Sequence, residues 1–148
     1  MNQDDELSGA IALAQTDDEI RHCFPVMLEL RTHLADAEEF LRRVRQQMTE
    51  GFRLVYLEDE GEVRAVSGFR IFSALHEGRQ MHVDDLVTDG RHRSRGYGDR
   101  LFDWLVAYAR AEKCNRVRLD SGVHRFAAHR FYLRKRMAIA SHHFVLDL

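Results

Sequence analysis

The stretch from Val83 to Leu105, VDDLVTDGRHRSRGYGDRLFDWL, gathers the residue types best able to do chemistry. Arg91, His92, Arg93 and Arg95 bring mobile positive charge to a loop that also carries Gly96 and Gly98. Glycine has no Cβ, so backbone at those two positions can approach a pyrophosphate closely. Asp84 and Asp85 lie just upstream. The chemistry this spacing implies is the binding of a phosphate-bearing ligand beside a pair of carboxylates. A P-loop is excluded because GxxxxGK[ST] is absent, and a dinucleotide fingerprint because GxGxxG is absent.

The flanking elements give the loop its meaning. Val83, Leu86 and Val87 read as a buried strand before it. Leu101, Phe102, Leu105, Val106 and Tyr108 recur at helical spacing after it, with Trp104 beside them. A strand, a glycine loop and a helix N-terminus together form an anion site. Free N–H groups and the positive end of the helix dipole point into the turn.

Ala10–Gln15 reads as a first strand. Thr16 and Glu19 form a capping box for a helix from about Asp17 to Arg31, with Ile20, Phe24, Met27, Leu28 and Leu30 facing inward. Pro25 is expected to kink or split that helix. A second helix starts at Asp36 and ends at Gly51. Phe52–Leu57 and Val63–Phe72 read as strands, Ser73–Gln80 as a polar loop and Met81–Thr88 as the strand before the glycine loop. The glycine-loop helix runs to about Lys113. A short strand at Arg116–Leu119, a helix around Phe126–Arg136 and a strand-like tail at Ala138–Leu148 complete the chain. This order predicts an α/β fold with a mixed, mostly antiparallel sheet flanked by helices.

With 148 residues, a single domain over residues 1–148 is expected. Hydrophobic residues make up 45% and charged residues 31%, which fits a folded globular chain. A net charge of −2 disfavours nucleic acid as a partner, despite the basic loop. No apolar run is long enough for a bilayer, so no membrane partner is expected. The start MNQDDELSG lacks a targeting pattern, and Cys23 and Cys114 form no CxxC pair. A cytoplasmic location is the expectation. The nine histidines complete no zinc spacing, and no metal is expected.

A second segment, Ala128–Met137, reads AHRFYLRKRM. Together with the loop Arg93-Ser94-Arg95-Gly96-Tyr97-Gly98, it resembles the GNAT superfamily of acyl-CoA-dependent N-acyltransferases. The family loop Arg/Gln-x-x-Gly-x-Gly/Ala falls on Arg93, Gly96 and Gly98. The family's Asn-x-x-Ala-x-x-apolar-Tyr-x-x-x-Gly-Phe falls on Arg125, Ala128, Phe131, Tyr132, Arg136 and Met137. Arg125 replaces Asn, Arg136 replaces Gly and Met137 replaces Phe. The first change bears on one polar cofactor contact. The second argues against the usual left-handed turn at that helix end.

The resemblance implies acetyl-CoA as co-substrate and a splayed central strand pair that admits it. Its pantetheine arm would pair with backbone at Leu86, Val87 and Thr88. Its pyrophosphate would rest on N–H groups from Ser94 through Asp99, taking in Arg95, Gly96, Tyr97 and Gly98, with Arg93 or Arg95 nearby. Tyr132 is the candidate acid for the departing thiolate. Asp84 and Asp85 hold the places where similar members carry Glu-Asp, nine and eight residues before Arg93. They are candidate bases, because an amine must lose a proton before it attacks. Strand alternation places them on opposite faces, with Asp84 favoured toward the acceptor.

The leading expectation is therefore an N-acetyltransferase that moves an acetyl group to a primary amine by direct attack. The acceptor is a small molecule or a peptide, and a homodimer is compatible with the resemblance. The alternative is a catalytically weak acyl-CoA-binding sensor or subunit. Acceptor selection is expected from the first two helices and the Ser73–Gln80 loop.

Overall fold

Thr16 and Glu19 start the first helix as a reciprocal pair. The Glu19 N–H donates to Thr16 Oγ1 at 3.2 Å, and the Thr16 N–H donates to Glu19 Oε1 at 3.0 Å. In this computed structural model, which describes residues 9–148, that cap separates β1 (Ala10–Leu13) from α1 (Asp17–Leu30). Residues 1–8 lie outside the described residues, and with them most of the stretch read as lacking a targeting signal. Pro25 does not split α1, which is continuous through it. It is exposed, while its neighbours Cys23, Val26 and Met27 are buried. Their packing carries the helix across the missing bond.

Asp36 caps α2 (Ala37–Met48) by accepting the Glu39 N–H at 2.8 Å. Next come β2 (Phe52–Asp59), β3 (Glu62–Ala74) and β4 (Gly78–Thr88). These pair antiparallel, and β1 pairs antiparallel with β2. The polar segment Ser73–Gln80 is not the expected loop. β3 and β4 run almost to its middle and leave a turn at residues 75–77, with Glu77 at φ 70° and Gly78 at φ 69°. Ladder hydrogen bonds satisfy backbone whatever the side chains are, so polar composition alone misread it. α3 (Tyr97–Ala111) leads to β5 (Arg116–Leu119), and the sheet order is β1-β2-β3-β4-β5. The α3 crossover makes β4 and β5 the parallel pair of a mixed sheet.

The chain divides into two compact units, Met1–Arg118 and Leu119–Leu148. In the first, alternation along β2 separates two faces. Phe52, Leu54 and Tyr56 join Ile20, Met27, Phe40 and Val44 of α1 and α2 in one core cluster. On the other face, Phe69 of β3 packs edge-on against Trp104 and Tyr108 of α3. Helices thus cover both faces of the sheet. The second unit holds α4 (Phe126–Arg134). Ala138–Leu148 does not form the expected strand, and Phe144, Val145, Leu146 and Leu148 are exposed. A strand needs a neighbour for its backbone groups, and the described residues of this unit supply none.

Candidate functional site

β4 is irregular where it carries the acids. Gly68 of β3 faces Asp85, but the next residue, Phe69, faces Val83. Asp84 is the extra residue of a β-bulge, and the bulge re-aims its side chain. The expected opposition of the two acids across the strand therefore fails. Both line a single cavity of about 510 Å³. Gly68 is what permits this arrangement, since a Cβ there would lie 2.6 Å from Asp85 Oδ2 and would clash with the Phe52 ring.

Each acid has an arginine. Arg70 Nε and Nη2 donate to the two Asp84 oxygens at 2.9 and 2.8 Å. Arg31, at the end of α1, donates from Nε to Asp85 Oδ1 at 2.7 Å and from Nη2 to the Asp84 carbonyl at 2.9 Å. His82 Nε2 lies 3.6 Å from Asp84 Oδ1. Asp85 is the more enclosed acid, with 12% of its side chain exposed against 20% for Asp84. Burial raises the Asp85 carboxyl above its ordinary value, and Arg31 only partly offsets this. The Ser67 hydroxyl donates to the Asp85 carbonyl at 2.7 Å and fixes the backbone there.

Arg31 and Arg70 escaped the sequence reading, as did Arg43, His33 and Glu50, which share the cavity. One signal was available. Once β3 and β4 are paired, Arg70 falls opposite His82, close to the acids. None of the lining residues comes from Ser73–Gln80, so that segment does not shape the cavity as expected.

Beyond β4 the chain makes one 3-10 turn at Gly90–His92. Asp89 accepts the Arg91 N–H at 3.0 Å and holds the Arg91 guanidinium at 3.0 Å, which lowers the Asp89 carboxyl. Arg91 is thereby committed to its own turn, while Arg93 and Arg95 stay exposed. Gly96 precedes α3 with φ 80°, and no atom lies within 4 Å of where its Cβ would be. A Cβ on Gly98 would come within 3.0 Å of Thr88 Oγ1. The first turn of α3 thus starts from a bare backbone cradle, and its N–H groups lack intrahelical partners. Tyr97 anchors the cradle from beneath. Its buried hydroxyl donates to Asp59 Oδ2 at 2.5 Å, and this bond raises the phenol's pKa.

In the second unit, Tyr132 lies on α4 and Arg125 is that helix's N-cap residue. Burial pushes the Tyr132 phenol up, opposed by the Arg125 charge. α4 ends in a Schellman turn. The Met137 N–H donates to the Tyr132 carbonyl at 3.0 Å and the Arg136 N–H to the Leu133 carbonyl at 3.0 Å. Arg136 has φ 67°, so the left-handed turn is present without glycine, contrary to expectation. Two backbone bonds at the helix end outweigh the steric cost at one residue.

Cys23 is fully buried, and burial pushes its thiol far up, so it offers no thiolate. Among the described residues no three His, Cys, Asp or Glu side chains form a metal-sized group, and no helix is long and apolar enough to cross a membrane.

An uncharacterized N-acetyltransferase of Bacillus subtilis (strain 168), YhdJ, is 38% identical over 113 residues, covering 76% of this chain and 79% of that protein. A transcriptional regulator from Bacillus halodurans C-125 has the same fold, with TM-score 0.83 and 15% identity over 95% of this chain and 99% of that one. Glucosamine-6-phosphate N-acetyltransferase from Arabidopsis thaliana does so with TM-score 0.74 and 22% identity over 95% and 98%. The model of the Acetyltransferase (GNAT) family matches residues 13–137, and this chain belongs to that family.

Proposed function

We propose that this protein transfers an acetyl group from acetyl-CoA to a primary amine by direct attack. The observation that carries the reading is continuity. One strand brings two carboxylates into a cavity, and the chain that leaves it passes through one 3-10 turn to a backbone cradle at the head of a helix.

The cradle suits a diphosphate. Gly96 and Gly98 keep it free of side chains, and the α3 N-terminus would meet the phosphates with N–H groups from Ser94 to Asp99, with Arg93 and Arg95 adding charge. Leu86, Val87 and Thr88 would hold the pantetheine arm by main-chain bonds along a splayed edge. Arg125 would supply a polar contact in place of the family Asn. Acetyl-CoA brings the activated thioester, and the chain's residues orient it and move protons.

Asp85 is the better base in this geometry. Burial raises its carboxyl above the ordinary aspartate value, while Asp84 is clamped at both oxygens by Arg70. This reverses the sequence-based preference for Asp84. Asp84 then holds the incoming ammonium, and Asp85 takes its proton directly or through a water. Backbone N–H near Leu86 and Val87 would face the developing oxyanion. Tyr132, whose phenol is pushed up by burial, would donate to the leaving thiolate.

Release of free thiol from acetyl-CoA with a panel of primary amines tests the reaction, and calorimetry with CoA tests the cradle. Gly96→Asp and Gly98→Asp should each abolish CoA binding by adding bulk and negative charge. Unchanged CoA affinity in both variants would remove the reading. CoA binding without turnover on any amine would leave an acyl-CoA-binding sensor.

A further inference from the structure

The acid pair in the cavity is already neutralised. Arg70 closes on Asp84 and Arg31 on Asp85 before any acceptor arrives. A purely cationic acceptor such as a polyamine would bring its charge beside three guanidiniums, those of Arg31, Arg43 and Arg70. The lining balances three arginines against Asp84, Asp85 and Glu50, so charges of both signs face the cavity with none in excess.

The arginines also keep donors to spare. Among the described residues, Arg70 engages Asp84 through Nε and Nη2, and Arg31 engages Asp85 through Nε and the Asp84 carbonyl through Nη2, which leaves Nη1 of each without a hydrogen bond. Arg43 binds Glu39 through Nη2 at 2.9 Å. Such guanidinium edges recognise carboxylates. Met27, Leu34, Phe40, Val44 and Phe52 give the rest of the wall its apolar surface, with His33 and Gln47 the polar side chains among them.

From these three features together we propose that the acceptor is a zwitterion: a free amino acid with an apolar side chain. Its ammonium meets Asp84, its carboxylate meets the unused arginine edges, and its side chain lies on the apolar wall. The ammonium and carboxylate then match the two signs of the lining, and no net charge is buried. This rests on the acetyl-transfer reading above and narrows it to one class of amine.

The experiment compares L-leucine and L-phenylalanine with L-leucinamide, L-phenylalaninamide, isopentylamine and phenethylamine, reading thiol release from acetyl-CoA. In parallel, the two amino acids are titrated into the protein without acetyl-CoA. The amino acids should show kcat/KM at least about 10-fold above the matched amides and amines, since a charge-assisted contact is lost in each. Arg43→Gln should raise KM for L-leucine on the order of 10-fold, with kcat changing less. Equal or better turnover of amides or plain amines overturns the inference and leaves the acetyl-transfer reading standing. Arg43-dependent binding of L-leucine with no thiol release from any amine upholds the ligand class and removes the transfer reading. No binding and no turnover of either amino acid removes the ligand class.

Discussion

Gly68 on β3 lies directly opposite Asp85 on β4, and the space that a side chain at Gly68 would fill is occupied by the Asp85 carboxylate and the Phe52 ring. The bulge one residue away sends Asp84 into the same cavity. The glycine is thus a condition for two acids sharing one site.

Gly68→Ala should therefore cost both stability and acceptor binding. Its Cβ would lie 2.3 and 2.5 Å from Phe52 ring carbons and 2.6 Å from Asp85 Oδ2. Overpacking of this kind costs about 1–3 kcal/mol. Chemical denaturation should show that loss, and KM for the amine should rise more than KM for acetyl-CoA. A variant of wild-type stability and kinetics would show that the ring and carboxylate move aside freely.

Asp85 should set the acid limb of the pH profile. Its folded-state pKa is raised by burial, so it stays protonated to higher pH than an ordinary aspartate and works as a base only above that point. Rate should then climb with pH through an inflection above the ordinary aspartate value. Asp85→Asn should lower kcat/KM by about 10²–10⁴-fold and abolish that inflection, with partial recovery at high pH as free amine appears. Asp84→Asn should act mainly on KM for the amine. The reverse pattern would return the base to Asp84. The same shift carries a stability signature: stability falls as pH rises from the ordinary aspartate value through the raised one, because the folded state binds the extra proton there.

Tyr97 pins the cradle to β2 through Asp59. Tyr97→Phe removes a buried charge-assisted bond worth about 1.5–3 kcal/mol and should lower stability by that order. KM for acetyl-CoA should rise as the helix start loosens, while kcat at saturation stays nearer wild type. Denaturation curves and saturation kinetics read the two effects separately. A kcat loss without a KM change would place Tyr97 elsewhere in the mechanism.

Tyr132→Phe should reduce kcat by about 10²–10⁴-fold with little effect on CoA affinity, because a proton donor acts on charge that appears only as the thioester breaks. Full turnover in this variant would make Tyr132 a packing residue.

Arg136 occupies a left-handed position with φ 67° that glycine adopts without penalty. Arg136→Gly should relieve roughly 1–2 kcal/mol of local strain in the turn that bonds the Tyr132 carbonyl. Thermal unfolding should shift upward. No shift would mean that the arginine side chain makes compensating contacts.

Local signals were legible in the sequence wherever physics acts over a few residues. The Thr16–Glu19 capping box, the Asp36 cap and the glycines before and within the first turn of α3 are all set by groups two or three positions apart, and each appears where spacing placed it. The family motifs around Arg93–Gly98 and Ala128–Met137 are local in the same sense. What depends on pairing between distant strands was not legible. Strict alternation set Asp84 and Asp85 on opposite faces, but the bulge between Gly68 and Phe69 exists only once β3 and β4 are in register. The arginines that neutralise the acids come from α1 and β3, far away in the chain, and only packing brings them in. Polar Ser73–Gln80 became strand on either side of a turn at residues 75–77 because ladder bonds ignore side chains, and apolar Ala138–Leu148 did not because the described residues of its unit offer it no ladder. The sequence by itself determined the chemistry available to this protein. The tertiary structure decided which charges face one another, since a carboxylate's strength and its ligand follow from burial and neighbours that no local spacing encodes.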